Sequence, residues 1–194
     1  MNFLDRIESL QHTYRADECG VQDNASLYGI YNPKPPLATH IVFNPMPQET
    51  MQNLVNNYKL NFPKELLVLY HVMNGADLFW TVRLVGKKKT RIPICCFSIY
   101  GVPLTYDRKH IEPYNISVED LNRPRKTPES WLKFGSYYRP ENMIDRLDLF
   151  IDTNQATVFA VEHEREECSV VASWNSIDSC LCSVFDLLAS LKIS

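Results

Sequence analysis

Glycine is scarce in this chain: six in 194 residues, beside twelve prolines. Loops that cradle phosphate need glycine where the backbone closes on an anion, and none of their patterns is present. The one Gly-Lys step, Gly86-Lys87, has Thr81 where a phosphate loop needs its first glycine. G-x-G-x-x-G is absent, and so is the hydrolase elbow G-x-S-x-G. No sign of charge dominates either. The formal net charge is −3, which supplies no bulk positive field for nucleic acid or anionic lipid. Long apolar runs are also missing. The longest, Leu66–Tyr70, falls far short of the ~20 residues of a membrane span.

The N-terminus, Met1-Asn2-Phe3-Leu4-Asp5-Arg6-Ile7-Glu8, mixes both charges into its apolar positions and does not read as a signal peptide. Cys19, Cys95, Cys96, Cys168, Cys180 and Cys182 follow neither a disulfide framework nor a zinc spacing. Cys95 and Cys96 fall on a strand, where neighbours point to opposite faces. Cys180 and Cys182 fall on a helix, about 200° apart. The expectation is reduced thiols, a cytoplasmic location, and no metal or other cofactor.

What is present is an ordinary globular composition, 45% hydrophobic and 22% charged, with enough length to bury a core without staples. Phe3, Leu4, Ile7, Leu10 and Tyr14 form a helical stripe. From Arg15 to Pro47 the pattern dissolves into Asp, Asn and Pro and reads as a long loop, with short strands at most at Leu27–Tyr31 and His40–Phe43. A second helix is expected over Gln48–Tyr58. A third lies between Pro63 and the Asn74-Gly75 stop. On it Leu66, Leu69, Tyr70 and Met73 share one face while Val68 and Val72 share another, which predicts burial on both sides.

After Gly75 the period changes to two. Leu78–Val85 and Thr90–Phe97 read as a hairpin with Lys87-Lys88-Lys89 at its tip, and Ser117-x-x-Asp120 opens a possible short helix. Trp131–Tyr138, Leu147–Asp152, Thr157–Glu162 and Cys168–Trp174 read as successive strands, and Ser176 caps a final helix reaching Leu191. The expected fold is α+β: one domain over residues 1–194, a mostly antiparallel sheet of five or six strands, N-terminal helices and a C-terminal helix packed on it.

Catalytic patterns are not found. His163-Glu164-Arg165-Glu166-Glu167 begins like a zinc-protease helix, but its fifth residue is Glu and it lies between two strands. His12, His40, His71, His110 and His163 are scattered, with no recognisable triad spacing. Charge, however, is unevenly placed. Residues 81–140 carry twelve Lys or Arg against five Asp or Glu, whereas residues 141–167 carry eight acidic residues against Arg146 and Arg165. A solvated turn would carry such charge, and so would a docking surface for a basic protein. On the second reading Asp145, Asp148, Glu162, Glu164, Glu166 and Glu167 steer the encounter, and exposed Trp80, Tyr137 and Tyr138 anchor it.

The order of motifs resembles one family. Phe62-Pro63-Lys64-Glu65-Leu66-Leu67-Val68-Leu69-Tyr70 with Asn74-Gly75, then Trp131-Leu132-Lys133-Phe134-Gly135, then Leu147–Asp152, then the Ser176–Leu191 helix, is similar to the SUKH superfamily of Smi/Knr-type proteins. The resemblance covers residues 48–191, and residues 1–47 match only loosely as an extension. Pro63, Tyr70, Asn74, Gly75, Trp131, Gly135 and Asp152 carry it as a fold signature. It implies a non-enzymatic role: an immunity protein (antitoxin) that binds a cognate polymorphic toxin, basic and of nuclease type, with no direct nucleic-acid or membrane partner. The alternative it implies is a regulatory or scaffolding module of the cell-wall-regulator kind.

Overall fold

The computed structural model describes residues 1–33, 36–57, 62–85, 90–104, 112–114, 116, 127–139, 145–164 and 167–191. It contains four helices, α1 (Phe3–Thr13), α2 (Gln48–Asn57), α3 (Lys64–Val72) and α4 (Ile177–Ser190). The strands are β1 (Cys19–Gln22), β2 (Ala25–Pro33), β3 (Pro36–Phe43), β4 (Ala76–Val85), β5 (Thr90–Ile99), β6 (Trp131–Tyr138), β7 (Arg146–Asp152), β8 (Val158–Glu164) and β9 (Glu167–Trp174). All nine join one sheet in chain order, every neighbouring pair antiparallel. The α+β class therefore stands, with nine strands where five or six were expected.

The additional strands come from residues 15–47, read above as a loop with short strands at Leu27–Tyr31 and His40–Phe43; those two lie within β2 and β3, and β1 is new. Asp23 adopts φ 52° and reverses the chain between β1 and β2, a left-handed conformation that Asp tolerates better than most residues. Prolines cannot donate to a ladder, and here Pro33 and Pro36 pair at the far end of β2 and β3, where a hairpin turns. Residues 1–47 thus supply α1 and the first three strands of the same sheet.

One face of the sheet is covered by helices. Ile177, Cys180, Leu181, Val184 and Leu188 of α4 are buried at helical spacing and pack with Phe3, Ile7 and Leu10 of α1 and Leu66, Leu69 and Tyr70 of α3. Each large aliphatic side chain removed from water contributes roughly 1.5–3 kcal/mol. The helix starts cap one another. Glu65 of α3 accepts from the Ile177 amide of α4 at 2.7 Å, and Asp178 of α4 accepts from the Phe3 amide of α1 at 2.8 Å. These carboxylates satisfy orphan donors at the positive ends of the helices. Arg6 locks the arrangement with two bonds to Asp186, at 2.8 and 2.6 Å.

Val68 and Val72 correct the two-sided reading of α3. They are 59% and 44% exposed, so this helix buries one face only. The Lys87–Lys89 tip and the Ser117–Asp120 segment lie outside the described residues.

Candidate functional site

The two oppositely charged stretches of sequence become neighbours in space. Strands β6, β7 and β8 are adjacent and antiparallel, and acids meet bases across them. Lys133 Nζ lies 2.6 Å from Asp148 Oδ2, with side chains only 16% and 10% exposed. Arg146 approaches the other oxygen of Asp148 at 3.7 Å, and Arg139 pairs with Glu162 at 2.7 Å. Asp148 is therefore an interior ion-pair partner and not an exposed docking residue. Glu162 is bound to Arg139, and Asp145 precedes β7 with its carbonyl accepting from the Arg139 amide at 2.9 Å.

Beyond Glu162 the situation changes. The ladder between β7 and β8 runs only from Asp148↔Val161 to Ile151↔Val158, so the β8–β9 hairpin extends past β7. At its end Glu164 is the direct register partner of Glu167. Glu166 lies outside the described residues.

The expected aromatic anchors are distributed differently. Tyr137 is buried, which corrects its reading as an exposed contact, and Tyr138 is half-buried on the same strand. Trp80 is also half-buried, and its indole nitrogen has no hydrogen-bond partner among the described residues. Trp131 stacks on Phe159 at 4.5 Å and also contacts Phe150, on the sheet face that carries the Lys133–Asp148 pair.

Of the seven residues that carry the family resemblance, Tyr70, Asn74, Gly75 and Gly135 meet around one turn. Gly75, at φ +91°, ends the approach from α3, and a Cβ there would meet the Ile99 carbonyl at 2.5 Å. Asn74 clamps the chain after β5 in both directions. Its Nδ2 donates to the Val102 carbonyl at 2.7 Å, and the Val102 amide donates to its Oδ1 at 2.8 Å. The Tyr70 hydroxyl donates to the Tyr100 carbonyl at 2.9 Å. Gly135 pairs with Ile99 in the ladder, and a Cβ there would lie 2.7 Å from the Ser98 carbonyl. Pro63 and Asp152 line a separate hollow of about 460 Å³ between the start of α3 and the β7–β8 turn. Tyr70, Asn74, Gly75 and Gly135 thus have structural work: a turn, clamps and close backbone approach.

Two buried groups escaped the sequence reading. His40 lies under Tyr14 and Phe79. The Phe79 amide donates to its Nδ1 at 3.3 Å, which leaves Nε2–H to donate to the Tyr14 hydroxyl at 3.0 Å. That pattern fixes a neutral imidazole, and burial lowers its pKa to about 4. The same contacts hold Phe79 at φ 57°, an unusual conformation for a bulky residue. Asp77 is buried on β4. Burial raises its pKa to about 6 against hydrogen bonds from Ser98 and Cys95, and one carboxylate oxygen has no hydrogen-bond partner among the described residues. Isolated His and Asp residues leave no periodic trace, so only the packing could reveal them.

Burial also raises the thiols of Cys95 and Cys180, and that of Cys96 to about 11, which keeps them protonated and poorly nucleophilic at neutral pH. Among the described residues, no group of three His, Cys, Asp or Glu converges as metal ligands, and no helix is long and apolar enough to cross a membrane. Compared with protein-family models, curated proteins and solved structures, the chain matches none.

Proposed function

We propose that this is a non-enzymatic binding protein of SUKH type: an immunity protein that neutralises a cognate toxin, basic and of nuclease class, by direct contact. The observation that carries this reading is the end of the β8–β9 hairpin, where the register sets Glu164 against Glu167 beyond the reach of β7. Like charges at directly opposed ladder positions destabilise a sheet by roughly 0.2–1 kcal/mol. The inner acids are compensated by Lys133, Arg139 and Arg146. A cationic partner surface compensates the outer ones and accelerates its own encounter by long-range attraction.

The test takes the product of the gene directly upstream as the candidate toxin. Co-expression with this chain rescues growth, and Glu164→Lys with Glu167→Lys slows association and flattens its dependence on ionic strength. Stopped-flow association at two salt concentrations reads both effects, and an unchanged rate refutes the electrostatic docking. If the neighbouring product is not toxic, the regulatory module takes first place.

A further inference from the structure

Among the described residues the sheet has two open edges, β1 and β9, and they are unlike. β1 is four residues long, short enough to be a poor template for another strand. β9 is twice that length. Edge strands are ordinarily protected by lysine, proline or an inward charge, because their free N–H and C=O groups invite a further strand. From Cys168 to Trp174 this edge has no charged residue and no proline. Cys168 aside, no backbone hydrogen bond among the described residues joins β9 to anything but β8. Ser169, Val170, Val171 and Ser173 are exposed, with Val170 at 51% and Val171 at 40%. β-Branched side chains are the ones that best fit a cross-strand neighbour.

The one irregularity in β9 locates the usable stretch. Register shifts between Ala160 and Val161 of β8, so Val171 is an extra residue on β9. On one side of that bulge the ladder runs evenly from Glu167 to Val170, and this is the side that ends in the Glu164–Glu167 pair. An edge backbone, exposed valines and the Glu164–Glu167 register pair therefore lie together on one short segment.

We infer that β9 is the docking edge for the partner: an extended segment of the basic protein adds as a tenth strand beside Glu167–Val170. Its backbone completes the ladder, a β-branched or aliphatic side chain packs beside Val170 and Val171, and a Lys or Arg reaches the acidic end. This rests on the binding reading given above and names the mode of contact. Backbone bonds give such strand addition its affinity, and the side chains give it selectivity.

The full chain, isotopically labelled, is titrated with a synthetic heptapeptide, acetyl-Lys-Arg-Val-Thr-Val-Thr-Val-amide, and amide shifts and exchange rates are followed. The peptide is expected to slow exchange and shift resonances along Glu167–Val171 and to leave β1 unchanged. N-methylation of the peptide at alternate residues, which removes donors along one edge, weakens binding about tenfold in one of the two phases. Val170→Lys, at an exposed position, abolishes it. Glu164→Lys with Glu167→Lys removes the preference for this peptide over one with Glu-Glu in place of Lys-Arg. If N-methylation in either phase has no effect while charge reversal does, strand addition is overturned and the electrostatic reading survives. If the chain alone sediments as a dimer and Val170→Lys makes it monomeric, the edge belongs to a second copy and the inference is overturned.

Discussion

Asp148 offers the sharpest check on how charge is used in this protein. Its carboxylate serves two cations: Lys133 at 2.6 Å through one oxygen and Arg146 at 3.7 Å through the other. Lys133 also lies over the Tyr100 ring, 5.7 Å from its centre. Replacing Asp148 by Asn keeps the shape and removes the charge, leaving an ammonium in a site where its side chain is 16% exposed. Breaking a fully buried ion pair from one side costs about 3–5 kcal/mol. Lysine can extend its head toward the remaining solvent, which lowers the expected cost to about 2–3 kcal/mol. Lys133→Met removes only one of the two cations and leaves Asp148 with Arg146, so its cost is smaller, about 1–2 kcal/mol. The order of the two single variants follows from the geometry alone.

Equilibrium urea unfolding at neutral pH measures both. The midpoint should fall in each variant with the slope unchanged, more for Asp148→Asn than for Lys133→Met. At this chain length the larger loss corresponds to a Tm decrease of about 4–12 °C. The double variant Lys133→Met/Asp148→Leu should recover part of the loss, because a packed apolar pair can replace a buried ionic one. A reversed order of the singles, or an Asp148→Asn cost below about 0.5 kcal/mol, refutes the assignment of Asp148 to the interior.

Two further outcomes are expected. Asn74→Ala strands both polar groups of Val102 and should cost about 2–4 kcal/mol in the same unfolding assay, whereas Gln52→Ala, at an exposed position of α2, should cost less than about 0.5 kcal/mol. The pH dependence of stability should contain two opposed slopes. Asp77 binds a proton more tightly folded, about 6 against 3.8, so its contribution falls as pH rises through that window. His40 binds one less tightly folded, about 4 against 6.5, so its contribution falls as pH drops through that window. Wild type should therefore be nearly flat between pH 4 and 6, while Asp77→Asn exposes the His40 slope and gains stability as pH rises. A flat Asp77→Asn profile refutes the assignment.

Where local chemistry and long-range packing agreed, the elements could be read from residues alone. Trp131–Tyr138, rich in aromatics and read as a strand, is β6 residue for residue, and the Ser176 cap with its apolar stripe is α4. β1 was hidden, and β2 and β3 were read only in part, as Leu27–Tyr31 and His40–Phe43, because proline, Asn and Asp signal loops, yet edge positions and a left-handed Asp23 accommodate them. Val68 and Val72 misled in the opposite direction: apolar residues suggest burial, but surfaces also contain them. For the candidate site, composition revealed how much acid there is. It did not reveal which acids already have partners.

That last distinction follows from topology. In a sheet whose strands stand in chain order, segments adjacent in sequence are adjacent in space. A basic stretch followed by an acidic one is then laid side by side, and Lys133, Arg139 and Arg146 neutralise Asp148 and Glu162. The same rule fails at the end of the run. Past the last β7–β8 pair, Glu164 and Glu167 stand opposite one another in the β8–β9 register, and among the described residues no further strand pairs with β9. That acidic register pair therefore stands at the end of the last hairpin, on the strand that forms one edge of the described sheet. On the proposed binding reading, steering and holding a partner fall on the same hairpin because β9 is the edge strand of the described sheet.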